Sequence, residues 1–306
     1  MKRRDFISKT VKVGIAVGTV MATSGKTMFA VGQPETNLPF DLVAVKGGEP
    51  AMMLDKALTA LGGMKQFVKK GQSVVVKPNI GWDAPPERGA NTNPQLVKRV
   101  VEQCLSAGAK KVFVFDRTCN NWEKCYTNSG IEKVVKEAGG QMVPGNSDSY
   151  YKEVLVPGGQ KLTKVKVHQL ILETDVFINV PVLKHHSGTM ITISMKNLMG
   201  VVWDRWYWHE NDLHRCIAEF PAFRKPDLNI VDAYLVMKRN GPRGISVEDV
   251  VAMKSLIVSP DIVAADAAAT KLFGMEPDEI GYVKIAHELG MGRKDLENLR
   301  IKRISI

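Results

Sequence analysis

Short apolar runs and stretches of helical periodicity take turns along most of this chain. Leu42-Val43-Ala44-Val45, Ser73-Val74-Val75-Val76, Lys111 to Asp116, Val176 to Val180, Leu228 to Asp232, Ser255 to Val258 and Leu299 to Ile306 read as strands. Between them lie predicted helices. Ala51 to Leu61 is closed by Gly62-Gly63, and Pro94 to Ala107 has Pro first and Gly108 beyond its end. Asn128 to Ala138, Asp212 to Phe220, Pro260-Asp261 through Ala268, and Glu279 to Leu289 follow the same spacing. Residues 150–174 alternate around Pro157-Gly158-Gly159, which predicts a β-hairpin at the sheet margin. Strand and helix in turn, with short connections, predict an α/β fold. The expected architecture is Rossmann-like: a mostly parallel sheet with helices on both faces and a β-hairpin insertion.

The N-terminus does not fit this pattern. Lys2-Arg3-Arg4-Asp5-Phe6-Ile7 is a twin-arginine sequence, followed by a mildly apolar stretch from Val11 to Ala22 and a cleavage site at Met28-Phe29-Ala30. Residues 1–30 are expected to be a twin-arginine signal peptide and 31–40 a linker. Residues 41–306 then form an α/β domain, as one body or as two lobes over 41–200 and 201–306. The expected partner of the leader is the twin-arginine export machinery, and the expected location is the periplasm. Whether the leader is cleaved or kept as an anchor stays open.

Charge changes the picture only once the leader is set aside. Residues 1–30 hold six Lys or Arg and one Asp, half of the formal net charge of +10. The remainder is mildly basic, which argues against nucleic acid and for a small anionic ligand. The cysteines are Cys104, Cys119, Cys125 and Cys216, with no CxxC pair, so an iron–sulfur cluster is not expected. Cys119 and Cys125 are either a disulfide or free thiols.

Candidate chemistry gathers after the run Val176 to Val180. The chain breaks at Pro181 and then carries Lys184, His185, His186, Thr192, Ser194, Lys196 and Asn197. Polar groups directly after a buried strand belong at the carboxyl edge of an open sheet, where ligands bind. Three other strands end the same way: Val76 into Lys77-Pro78-Asn79, Phe115 into Asp116, and Val231 into Asp232. Lys184, His186 and Asp116 are therefore the candidate catalytic residues. Lys77, Asn79, Ser194, Lys196 and Asn197 are candidate substrate-binding residues. His186 with Asp232 is a candidate metal pair, a metal ion being one open form of cofactor. Adjacent extended residues point oppositely, so His185 and His186 are not expected to share a ligand. Asp266 either caps or pairs. The Trp203 to Trp208 cluster is a lid, a core corner or a homo-oligomer contact.

Several motifs in order resemble the DUF362 family: KPN at 77–79, VLKHH before TISMKN at 192–197, PDLNIVDA at 226–233, GPRG at 241–244 and SPDIVAADAAA at 259–269. The resemblance implies an α/β fold over roughly 42–306, without the ferredoxin-like iron–sulfur segment of some members. That family is distantly similar to the lactate racemase catalytic subunit, in which a lysine and histidines hold a nickel pincer nucleotide. The matching motifs do not carry that cofactor over. The expectation is an exported enzyme of unknown reaction acting on a small anionic organic substrate. The alternative is a non-catalytic periplasmic binding or accessory protein for a metal, cofactor or solute.

Overall fold

The computed structural model describes residues 38–306. The leader expected over 1–30, and most of the linker expected over 31–40, lie outside those residues. Strands in chain order are Leu42–Lys46 (β1), Ser73–Pro78 (β2), Lys111–Val114 (β3), Gln141–Met142 (β4), Tyr151–Leu155 (β5), Lys164–His168 (β6), Val176–Val180 (β7), Val182–His186 (β8), Met190–Thr192 (β9), Leu228–Met237 (β10), Val250–Ser259 (β11) and Ile301–Ser305 (β12). Helices are Pro50–Ala60 (α1), Pro94–Ala107 (α2), Trp122–Asn128 (α3), Ile131–Glu137 (α4), Gln169–Glu173 (α5), Ser194–Asn197 (α6), Trp206–Glu210 (α7), Leu213–Glu219 (α8), Ile262–Phe273 (α9) and Gly281–Glu288 (α10).

The main sheet runs β12-β1-β11-β10-β7-β2-β3-β4, with β8 and β9 attached through β10. Pairing is parallel from β10 through β7, β2 and β3 to β4, and between β1 and β12. Only β11 and β9 pair antiparallel to their neighbours in this sheet. The fold is thus α/β with a mostly parallel sheet. The hairpin is the separate pair β5–β6.

Alternation along each strand builds two cores. Val74, Val76, Ile178, Ile230 and Val258 face one, closed by Met53 and Leu54 of α1, Val97 and Val101 of α2, and Ile131 of α4. Val75, Phe177, Val231 and Ile257 face the other, closed by Ile217 of α8, Val263 of α9 and Val283 of α10. Helices therefore cover both faces. Among the described residues no helix is long and apolar enough to cross a membrane.

Three local expectations change. The helix predicted over Asn128 to Ala138 begins only at Ile131, as α4, and a separate helix, α3, precedes it and ends at Asn128. Gly130 lies between them in the left-handed region at φ 74° and interrupts the helical bonding. The strand predicted to end at Asp232 continues to Met237, because its antiparallel partner β11 pairs on past that point. The polar stretch after Pro181 is assigned no element by the sequence. It is β8, laid against β10 and β9.

Candidate functional site

The site begins with the face that each strand residue takes. Val75 and Phe177 point to the core closed by α8, α9 and α10. Two positions further, Lys77 and Asn179 turn to the same face and meet α6. Lys77 pairs in register with Asn179, Asn179 with Asn229, and Asn229 with Ser259. One polar row thus crosses four neighbouring strands inside an apolar sheet. All four residues are buried.

That row survives because its members are bonded. Asn197 uses both ends of its amide: Oδ1 accepts from Lys77 Nζ at 2.7 Å and Asn79 Nδ2 at 3.1 Å. Its Nδ2 donates to the Lys77 carbonyl at 3.2 Å and to Asn179 Oδ1 at 2.9 Å. Asn179 donates on to Asn229 Oδ1 at 3.1 Å, and Asn229 to the Ser259 carbonyl at 3.3 Å. A buried polar network is stable only when satisfied in this way.

Lys77 and Asp116 form a buried ion pair, Nζ to Oδ1 2.9 Å. Asp116 Oδ2 also accepts the Ile80 amide at 2.7 Å. Burial pulls the Lys77 pKa down and Asp116 opposes it. Gly200 makes the pair possible. A β-carbon at that position would run into Asp116 Oδ1 and Lys77 Nζ.

Above the pair lies a cavity of about 270 Å³. Of the predicted site residues, Lys77, Asn79, Asp116, Lys184, His186, Lys196 and Asn197 line it. Lys184 is fully buried, with Nζ donating to the Ala90 carbonyl at 2.5 Å and to Asn79 Oδ1 at 3.3 Å. Burial lowers its pKa to about 7. Lys196 is lowered to about 8 for the same reason, and among the described residues its Nζ bonds to the Met199 thioether, at 3.0 Å. The Arg205 guanidinium also lines the cavity and donates to the carbonyls of Arg117 (2.7 Å) and Thr118 (2.6 Å). None of these three cations has a carboxylate partner among the described residues.

His186 and His185 diverge, as adjacent strand residues must. His186 lines the cavity, whereas His185 Nδ1 accepts the Gly241 amide at 3.0 Å. His186 Nδ1 accepts the Gly188 amide at 3.0 Å. Burial, with Lys196 and Lys184 nearby, lowers its pKa to about 2. A neutral ring whose Nδ1 is an acceptor carries its proton on Nε2, so His186 offers a donor.

Two predicted residues are not brought to the cavity. Ser194 sits beneath it at the start of α6, where its amide donates to Asp266 Oδ1 at 2.7 Å. Asp232 lies within β10 instead of at a strand end. Its oxygens accept the Asn93 amide at 2.7 Å and the Tyr234 amide at 3.0 Å, and burial raises its pKa to about 6. Asp232 and His186 therefore do not form a pair. Among the described residues no three His, Cys, Asp or Glu side chains converge into a metal-holding group. Cys119 and Cys125 are free thiols, Cys119 exposed and Cys125 buried. The tryptophan cluster divides: Trp208 is buried, Trp206 is exposed, and Trp203 stacks under Arg117 at 4.5 Å.

Sequence reasoning missed Arg205 and Cys119 on the cavity wall, and Asn179 and Asn229 below it; Thr192 is named in the polar stretch but given no role. Only the asparagines had a visible signal, an amide inside an apolar strand where β-propensity is poor.

The DUF362 family, described as a domain of unknown function, matches residues 74–271. A thylakoid-associated protein of Synechocystis sp. is 26% identical over 254 residues, which is 80% of this chain and 77% of that protein. The lactate racemase apoprotein of Thermoanaerobacterium thermosaccharolyticum superposes with a TM-score of 0.49 at 12% identity, covering 81% of this chain and 59% of that one. A protein from Thermotoga maritima superposes at 0.47 with 13% identity, covering 79% and 60%. This chain thus spans less than two thirds of either solved structure.

Proposed function

The chain belongs to the DUF362 family, and we propose that it is an exported protein that binds a small anionic organic molecule in the cavity and transforms it. One observation carries the reading. Lys184, Lys196 and Arg205 face the cavity without a carboxylate partner, and Asp116, the carboxylate among its lining residues, is matched to Lys77. Buried uncompensated cations are costly, and an anion relieves that cost.

The roles divide by what each side chain has free. Lys184 and Lys196 bind the anionic group, and His186 donates from Nε2. Lys77, Asn79 and Asn197 fix the floor, and Asp116 acts through Lys77. A transformation uses Lys184 as acid or base, since an ammonium held near neutrality exchanges its proton readily. No step is routed through a metal: among the described residues no three His, Cys, Asp or Glu side chains converge to hold one. A non-catalytic binding role is the second reading. The specific observation favouring it is that Asp116 is paired and His186 Nδ1 is occupied, which leaves His209 as the lining imidazole a transformation would have to use as base.

Export rests on the twin-arginine leader, Lys2-Arg3-Arg4, and on transport of folded cargo, which lets a ligand cross inside its site. The test is native mass spectrometry of the exported protein, with calorimetric titration of small carboxylates. A co-purifying or titratable anion whose affinity falls at least about tenfold in Lys184→Gln or Lys196→Gln is expected. Retained affinity in both variants would sink the assignment. Periplasmic accumulation should disappear in Arg3→Lys/Arg4→Lys. Unchanged fractionation would remove the export claim.

A further inference from the structure

Cys119 is a cysteine that neither the polar row nor the anion reading uses. It is the exposed one of the four; Cys104, Cys125 and Cys216 are buried. Its segment is held from both sides. The Cys119 amide donates to the Gly81 carbonyl at 2.7 Å, and Arg205 grips the two preceding carbonyls. Cys119 lines the same cavity as Lys184, Lys196 and Thr192. The amino groups of Lys77, Lys184 and Lys196 line that cavity with it.

A second observation points to a ligand beside it. Thr192 is only 4% exposed, lines the cavity, and its Oγ1 has no hydrogen-bond partner among the described residues. The Lys196 ammonium beside it has a thioether as its hydrogen-bond partner. A hydroxyl and an ammonium left so poorly bonded await an oxygen-bearing ligand.

We propose that Cys119 is a nucleophile that adds to the aldehyde carbon of a small oxo-carboxylate held in this cavity, with Thr192 and Lys196 receiving its oxygen atoms. The inference rests on the anion reading above. The step balances without an oxidant. The thiol proton passes to the neutral amine of Lys196. The sulfur electron pair forms the S–C bond while the carbonyl π pair moves to oxygen. The Lys196 ammonium then returns its proton to that oxygen. The product is a hemithioacetal, and the lysine ends as it began.

The experiment uses the full chain and follows alkylation of Cys119 by peptide mass spectrometry. Anionic iodoacetate and neutral iodoacetamide are compared, with glyoxylate or glycolate as competitor. Cys119 should prefer iodoacetate over iodoacetamide by about tenfold relative to a free thiol. Lys196→Gln should abolish that preference while the folded protein still reacts with iodoacetamide. Glyoxylate should protect Cys119 clearly better than glycolate, which has the same charge and no carbonyl. Equal protection by the two would overturn the nucleophile while leaving the anion reading standing. No protection and no preference for iodoacetate would overturn both. A borohydride-trapped glyoxylate adduct on a lysine would also overturn the thiol's role.

Discussion

At the scale of single residues, the Lys77–Asp116 pair is the most exposed to test. Removing one partner of a buried pair strands the other. Lys77→Met is expected to lower unfolding free energy by about 3–5 kcal/mol in urea titration. Lys77→Met with Asp116→Leu should recover much of that loss, because an apolar pair leaves no unmatched charge. If the double variant is no more stable than the single one, the cost lies elsewhere. Gly200→Ala should disturb the same pair from the other side. The added methyl needs the space that Asp116 Oδ1 and Lys77 Nζ occupy, so anion affinity should fall even where the fold persists. The lysines also fix a pH dependence. Lys184 and Lys196 are held near 7 and 8, below their ordinary 10.5. Between those values the unfolded chain binds more protons than the folded one, so their contribution to stability rises with pH from about 7 toward 10.5. Anion binding needs the protonated forms and should run the opposite way, weakening as pH rises through 7 to 8. Calorimetry across that range, with an exposed-lysine variant as control, checks both signs. An affinity flat in pH would mean that these lysines do not hold the ligand.

At the scale of elements, β8, β9 and α6 form a single device. β8 puts Lys184 and His186 on one side and His185 on the other. The chain then turns through β9 into α6, which delivers Lys196 and Asn197. Such a short helix needs an anchor. Asp266 of α9 supplies it by accepting the Ser194 and Met195 amides at 2.7 and 3.0 Å. Asp266→Ala should cost about 1–3 kcal/mol, since two buried amides lose their acceptor, and should loosen Lys196. Hydrogen exchange at 194–197 would report it; unchanged protection would show that packing alone holds α6. Much of this device was legible. The residues, the change from strand to polar stretch and the divergence of the two histidines follow from alternation alone. That the polar stretch is itself a strand was not legible, because its partners β9 and β10 are decided by long-range pairing. Asp232 shows the same limit. A carboxylate after an apolar run reads as a strand end, but β11 keeps β10 extended beyond it and two backbone amides take up the carboxylate.

At the scale of the whole molecule, a ligand that binds only the folded state must stabilise it. An anion at about 100 times its Kd should add about 2.7 kcal/mol and raise the melting temperature, and Lys184→Gln should remove most of the gain. A melting temperature that no small carboxylate moves would count against the cavity as a binding site. The sequence by itself determined the α/β class, because strand and helix periodicities alternate with short connections that permit little else. It also determined which polar residues follow buried runs, since such residues are too costly to leave inside a core without purpose. Only the tertiary structure decided which of them meet. Register between strands distant in sequence lines up Lys77, Asn179, Asn229 and Ser259, and the bareness of Gly200 lets a buried ion pair form. The approach of α7 brings Arg205, at its start, to the cavity beside Cys119. Those meetings depend on contacts between segments up to a hundred residues and more apart, and no local pattern records them.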